Sequence, residues 1–228
     1  KIFEMGKTFI RRGEGELPLE QNRMACLITG LRYEDRWHSQ DLRADFYDLK
    51  GCVESMLEVL RIPSPSFGSG IHEAILHPGK SCGVFSGEKR FGLLGEIHPD
   101  LLVRLDLTGP ILVCELDLDF LAAHYSAKVP FLSIPRFPSS SRDVAFLVTR
   151  ELEARDVLRP AEDSDEELLE KVQIFDVYEG ASVPAGMKSL GVRFSYRCAD
   201  RTLMDDEVNE VHARIVQEIV RATGGSIR

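Results

Sequence analysis

The chain has 228 residues, of which 43% are hydrophobic and 8% aromatic, enough for one or two cores without staples and too much for wholesale disorder. A formal net charge of −9 argues against non-specific binding to DNA or to a membrane surface, while leaving room for a local basic patch. The five cysteines (Cys26, Cys52, Cys82, Cys114, Cys198) are odd in number and form no C-x-x-C pair, which speaks against a disulfide framework or a zinc site and for a reducing cytoplasm.

Lys1-Ile2-Phe3-Glu4 reads as a strand from the first residue, so the chain is taken as the C-terminal piece of something longer. Arg23 to Gly30 is a mostly apolar strand ending at glycine. From Phe46, apolar residues recur at Leu49, Val53, Met56, Leu57 and Leu60, the spacing of an amphipathic helix, and Pro63 and Pro65 mark its exit. Cys82–Phe85 and Phe91–Ile97 are apolar runs joined by Ser86-Gly87-Glu88-Lys89, the pattern of an antiparallel hairpin. Ile111–Leu118 is a further strand. Hairpins around one long helix predict an antiparallel α+β layer. The pattern lapses between Ala122 and Pro138, where Pro130, Pro135 and Pro138 stiffen the path, so a domain of residues 1–127 is expected, followed by one of residues 128–228. No apolar run approaches the roughly 18 residues of a spanning helix, and no signal-peptide pattern is present.

The second region reads strand, helix, strand, strand, helix, strand, the order of a split βαβ sheet with both helices on one face. Val144, Phe146 and Val148 share a face of its first strand. The first helix is expected to be acidic, with Glu162, Asp163, Asp165, Glu166, Glu167 and Glu170 in a short span. Phe175 and Val177 are assigned to the helix side of the second strand, and Asp176 and Tyr178 to the other. In the third strand Leu190, Val192, Phe194 and Tyr196 point one way, and Gly191, Arg193, Ser195 and Arg197 the other. Val208, Val211, Ile215 and Ile219 form the stripe of the last helix, which stops at Gly224-Gly225 and leaves Ser226–Arg228 as an edge strand. Parity therefore puts Ala145, Tyr178, Arg193, Ser195 and Arg197 on an open face, with Ser189 at the strand entrance and Arg228 closing one side. A tyrosine among small residues suits base stacking, and Arg193 and Arg197 suit phosphates. The same sheet also serves as a regulatory or scaffolding module that binds an amino acid or a protein, because fold does not fix function. Residues 131–228 hold 13 Lys+Arg against 18 Asp+Glu, which weighs against RNA, but the acids are expected behind the sheet.

Other motifs carry less. His72 and His77 are five apart, not the four of a metalloprotease helix, and Pro78 follows at once, so no metal site is expected. Gly68-Ser69-Gly70 lacks the lysine of a phosphate loop and reads as a turn. Glu96 and His98 alternate on a strand end as a possible acid/base pair, more simply a solvated end. Glu115 and Asp117 face one side and suit a cation or, more simply, an arginine partner. No Ser/His/Asp or Cys/His arrangement can be read, and no catalytic residue is assigned.

Taken together, Arg142-Asp143, Phe175-Asp176-Val177-Tyr178, Lys188-Ser189-Leu190, Arg201-Thr202-Leu203 and Asp206-Glu207-Val208 resemble the ferredoxin-fold anticodon-binding domain that ends the β subunit of bacterial phenylalanyl-tRNA synthetases. Phe3-Glu4-Met5-Gly6, Asp45-Phe46-Tyr47-Asp48-Leu49-Lys50-Gly51, Gly95-Glu96-Ile97-His98-Pro99 and Glu115-Leu116-Asp117 resemble the class II synthetase-like domain before it. The resemblance spans the chain. It implies a noncatalytic class II-like antiparallel sheet domain followed by a ferredoxin-like βαββαβ domain that reads the anticodon of phenylalanine tRNA, its first base above all, through Ala145, Tyr178, Ser189 and Arg228. It also implies a catalytic α subunit that uses ATP and magnesium, an (αβ)₂ assembly, and neither a membrane nor DNA as partner. Two departures stand out. Thr202-Leu203-Met204-Asp205 has methionine at the expected helix cap, so Asp205 is expected to cap instead. Editing of misacylated tRNA, which the family assigns to modules N-terminal to these two, is expected to be absent from this fragment, and the first domain is expected to hold a shorter sheet than a class II domain does.

Overall fold

Antiparallel pairing organises both halves of the chain in the computed structural model, which describes residues 1–33, 42–129, 131 and 133–228. The chain divides into the units Lys1–Pro130 and Phe131–Arg228. Pro130, one of the prolines expected to stiffen the junction, lies outside the described residues.

The first unit is a sheet of six strands: β1 (Ile2–Ile10), β2 (Leu19–Thr29), β3 (Pro65–Gly68), β4 (Leu76–Ser86), β5 (Lys89–Ile97) and β6 (Ile111–Asp117), in the spatial order β1-β2-β6-β5-β4-β3. Helix α1 (Phe46–Leu60) begins at a capping box. The Asp45 side chain accepts from the Tyr47 and Asp48 amides, the Asp48 carboxylate accepts from the Asp45 amide, and Arg32 pairs with both acids. These bonds satisfy amides that the first turn leaves without helical partners. The helix then buries Leu49, Val53 and Leu57 against Val84, Leu94, Leu112 and Leu116 of the sheet. Among the described residues the unit also holds two short helices, α2 (Pro99–Arg104) and α3 (Leu118–His124).

Several expected features of this unit resolve into ordinary structure. Arg23 lies 3.8 Å from Glu115 and 4.0 Å from Asp117, so the two acids share an arginine. Glu96 pairs with Lys80 at 2.7 Å. His98 does not alternate with it on a strand; it is the N-cap of α2, where its Nδ1 accepts from the Asp100 amide. Residues 72–75 are not helical, and His77 lies in β4 with its Nδ1 accepting from the Gly79 amide.

The second unit contains β7 (Ser140–Thr149), α4 (Ala154–Glu162), β8 (Leu169–Tyr178), β9 (Met187–Tyr196), α5 (Asp205–Thr223) and β10 (Ser226–Ile227), with the strands in the order β10-β7-β9-β8 and every neighbouring pair antiparallel. Both helices cover one face. Val157 and Ala161 of α4 and Val208, Val211, Ile215 and Ile219 of α5 pack on Phe146, Val148, Leu190, Val192, Phe194 and Tyr196. Beyond Glu162 the acidic run does not lie on a helix, contrary to expectation. Helix α4 ends at Glu162, so Asp163, Asp165, Glu166 and Glu167 occupy the turn before β8, and Glu170 lies within β8. Their backbone is free of helical spacing, as repulsion among like charges favours.

The last helix also starts differently. Met204, not Asp205, is the N-cap, and its side chain makes no capping bond. The Glu207 carboxylate instead accepts from the Met204 amide at 3.1 Å and is held by Arg201. That arginine and that amide keep the Glu207 carboxyl well down, at about 2. At the other end Gly224 takes the left-handed conformation, φ 66°, and Gly225 runs so close to β7 that a Cβ there would sit 2.9 Å from the Leu147 carbonyl oxygen.

Behind the sheet, Tyr196 and His212 share a hydrogen bond of 2.8 Å. Burial, with the Arg142 charge adding to it, holds the His212 pKa below its ordinary 6.5. The unfolded chain thus takes up a proton near pH 6.5 that the folded one refuses. Stability of this unit should be flat above that pH and fall below it, and urea midpoints at pH 7.5 and 5.5 should converge in His212→Asn. Phe194, wholly buried, should cost about 3–5 kcal/mol as Phe194→Ala, read by urea denaturation with a probe in residues 131–228.

Candidate nucleic-acid interface

The face of the second sheet turned away from α4 and α5 is fixed by β9. With Leu190, Val192, Phe194 and Tyr196 buried under the helices, Ser189, Gly191, Arg193 and Ser195 must point the other way. The pairing register extends this into cross-strand rows. The first row is Ser226, Leu147, Ser189 and Tyr178. The next joins Ala145, Gly191 and Asp176, with the Arg228 amide donating to the Ala145 carbonyl at 2.9 Å. Asp143, Arg193 and Gln173 form the third, and Ser141, Ser195 and Lys171 the fourth. Ala145, Tyr178, Ser189 and Arg228 therefore occupy two adjacent rows at one end of the face.

Side-chain contacts tie this end together. The Arg228 guanidinium lies 5.3 Å from the centre of the Tyr178 ring and donates to Ser182 Oγ at 2.7 Å. Ser182 Oγ in turn donates to the Tyr178 hydroxyl at 3.4 Å. Tyr178 remains 40% exposed. Ser189 lies inside β9, not at its entrance, and is 4% exposed, so with half-buried Ala145 it makes a small-residue floor beside the ring.

Strand β8 departs from simple alternation. The register slips between Ile174, opposite Val192, and Asp176, opposite Gly191, leaving Phe175 as the extra residue of a β-bulge. The slip moves Phe175 off the helix side, where alternation had put it. Its ring is 51% exposed, a Cβ on Gly191 would meet it at 3.0 Å, and the Arg193 guanidinium lies 5.0 Å from its centre. Phe175 is thus a residue of the open face that strand parity missed. Only the Phe-Asp-x-Tyr spacing beside a glycine in the partner strand hints at it.

The two arginines expected to meet phosphates are already engaged. Arg193 forks onto Asp143 with bonds of 2.8 and 2.6 Å, which holds the Asp143 carboxyl below the usual range and the guanidinium above its own. Arg197, just past the end of β9, binds Glu170 at 2.8 Å and the Phe137 carbonyl at 2.6 Å. Among the described residues, Lys171 and Arg228 are the cations of this face without a carboxylate partner, and Asp176 is its acid without a cation. The positive charge is therefore small and local.

A family model described as "Phenylalanyl tRNA synthetase beta chain CLM domain" matches residues 1–118. The chain belongs to the phenylalanyl-tRNA synthetase beta chain family. A second model, "Ferredoxin-fold anticodon binding domain", matches residues 135–228, so the expected α+β class with antiparallel sheets and a terminal ferredoxin fold stands. The "Phenylalanine--tRNA ligase beta subunit" of Syntrophus aciditrophicus (strain SB) is 49% identical over 100% of this chain and 28% of its own length. That of Syntrophotalea carbinolica (strain DSM 2380 / NBRC 103641 / GraBd1) is 35% identical over the same shares. The chain thus spans about a quarter of the length of these beta subunits. Among solved structures, "Structure of Desulfitobacterium hafniense PylSc, a pyrrolysyl tRNA synthetase" matches with a TM-score of 0.38 and 16% identity, over 53% of this chain and 38% of that one, a likeness too slight to bear weight.

Within this family member, Gly180 sets where the tyrosine ring lies. A Cβ at Gly180 would fall 2.0 Å from the Tyr178 hydroxyl. Gly180→Ala should swing the ring off its position and weaken ligand binding at the Tyr178 end, while leaving the melting temperature nearly unchanged. Isothermal titration alongside a thermal melt checks both halves.

Proposed function

We propose that residues 131–228 read the anticodon of phenylalanine tRNA as part of a phenylalanine–tRNA ligase beta subunit. The observation that carries the reading is the gathering of Tyr178, Arg228, Ala145 and Ser189 into two rows of an uncovered sheet face, within a domain matched by an anticodon-binding family model. A base stacks against the Tyr178 ring over the floor of Ala145 and Ser189, with the Arg228 guanidinium along its rim. Ring stacking tolerates any base, so selectivity falls to polar groups. Asp176, in the row beside Tyr178, supplies an acceptor that favours a base with N–H donors on its pairing edge. Phosphate positioning falls to Lys171 rather than to Arg193 and Arg197, whose charges are spent on Asp143 and Glu170.

In the same reading, joining phenylalanine to the tRNA takes place in the partner α subunit of an (αβ)₂ cytoplasmic enzyme, with ATP and magnesium held there. The first unit then contributes packing surface rather than chemistry. In support, its best-placed carboxylates, Glu96, Glu115 and Asp117, all face cationic partners. No helix among the described residues is long and apolar enough to cross a membrane.

The test is a titration of the chain with the anticodon stem-loop of phenylalanine tRNA and with one altered only at the first anticodon base. Discrimination of about 1 kcal/mol or more is expected, with binding of both loops weakening only gently as salt rises, because Lys171 and Arg228 are the cations of the face left to meet phosphates. Tyr178→Ala should remove about 1–3 kcal/mol of binding to the cognate loop without changing the melt. Equal binding of both loops would reduce the contact to charge alone. A thermal shift with free phenylalanine and none with RNA would favour a regulatory module.

A further inference from the structure

Phe175 and Arg193 belong to neither the floor nor the ring of the site just described, yet they are built with care. Placing an aromatic side chain half in water on the bulged residue of an edge strand is unfavourable by itself. A bulge is a device that re-aims a side chain, and here it turns the ring from the helix side onto the centre of the open face. Gly191 clears the space, since a Cβ would come within 3.0 Å of the ring and 3.1 Å of Asp176 Cβ. The neighbouring Arg193 is fixed by its fork onto Asp143. That pairing spends the net charge but leaves the guanidinium a flat, oriented plane, the property by which arginine stacks on rings.

We propose that Phe175 and Arg193 form a second base-stacking position, which takes the nucleotide adjoining the one held at Tyr178. The proposal rests on the anticodon-binding reading and extends it from one base to two. Tyr178 and Phe175 lie three residues apart on one strand, about 10 Å at the usual rise per residue, a reach suited to successive splayed bases of a single strand. Two aromatics on one sheet holding two bases is a common way for a four-stranded sheet to bind RNA. Arg193 acts here through its plane and not as a phosphate clamp.

The experiment compares the unsubstituted chain, Phe175→Ala, Phe175→Tyr and Tyr178→Ala on the intact anticodon stem-loop and on loops made abasic at either position adjoining the first anticodon base. Phe175→Ala should weaken the intact loop by about tenfold or more with an unchanged salt slope, because no phosphate contact is lost. It should cost nothing further on the loop that lacks the base resting on Phe175, and Phe175→Tyr should bind like the unsubstituted chain. An equal loss on every loop would make Phe175 a structural support and overturn the proposal. So would normal binding by Phe175→Ala where Tyr178→Ala is weakened, which leaves the anticodon reading intact. Failure of the unsubstituted chain to bind the intact loop overturns both.

Discussion

Strand β9 is the member of the second unit on which the others depend. It pairs along its whole length with β7 on one side and from Ser189 to Tyr196 with β8 on the other, and Leu190, Val192, Phe194 and Tyr196 are at most 1% exposed. A slip of one residue would drive these four into water and pull Arg193 and Ser195 under the helices, a cost no register can absorb. The open face is thus held by hydrophobic burial on its far side. Its own residues need little mutual affinity, which is why small side chains such as Ala145 and Ser189 suffice for the floor.

That same logic explains what was legible in the sequence. Period-two and period-3.6 patterns place β9, β7, α1 and α5 because a single buried stripe determines each. Ala145, Tyr178 and Arg193 follow from parity once the stripe is known. Phe175 does not, since a bulge adds one residue to one strand only, and nothing in the local alternation of Ile174, Phe175 and Asp176 declares it. The acids from Asp163 to Glu167 were read as helix for a related reason. Charge density has no period, and the end of α4 at Glu162 is set by packing of Val157 and Ala161 on the sheet. Met204 shows a third failure. The cap of α5 is satisfied from within the helix by Glu207 steadied by Arg201, so the residue type at the cap carried no information.

Ion pairing shapes the face as much as packing does. Arg193 and Arg197 read as free cations in the sequence, because Asp143 lies 50 residues from its partner and Glu170 lies 27 away. Cross-strand pairing brings each acid to its arginine. A chain that is acidic overall can then present an approach surface close to neutral, where a polyanion meets little repulsion and a few unpaired cations orient it. Recognition under such conditions leans on contact geometry and on ring faces rather than on net field.

The Arg228 wall of the site hangs from a two-residue strand whose path is set by Gly225, passing under the Leu147 carbonyl with no room for a Cβ. Alanine scanning is read on the premise that alanine subtracts. At Gly225 it adds a methyl against a backbone oxygen that cannot yield, and the displacement is delivered three residues on, to a guanidinium the substitution never touched. A map of this interface drawn from side-chain deletions alone would therefore leave blank a position that governs one of its walls.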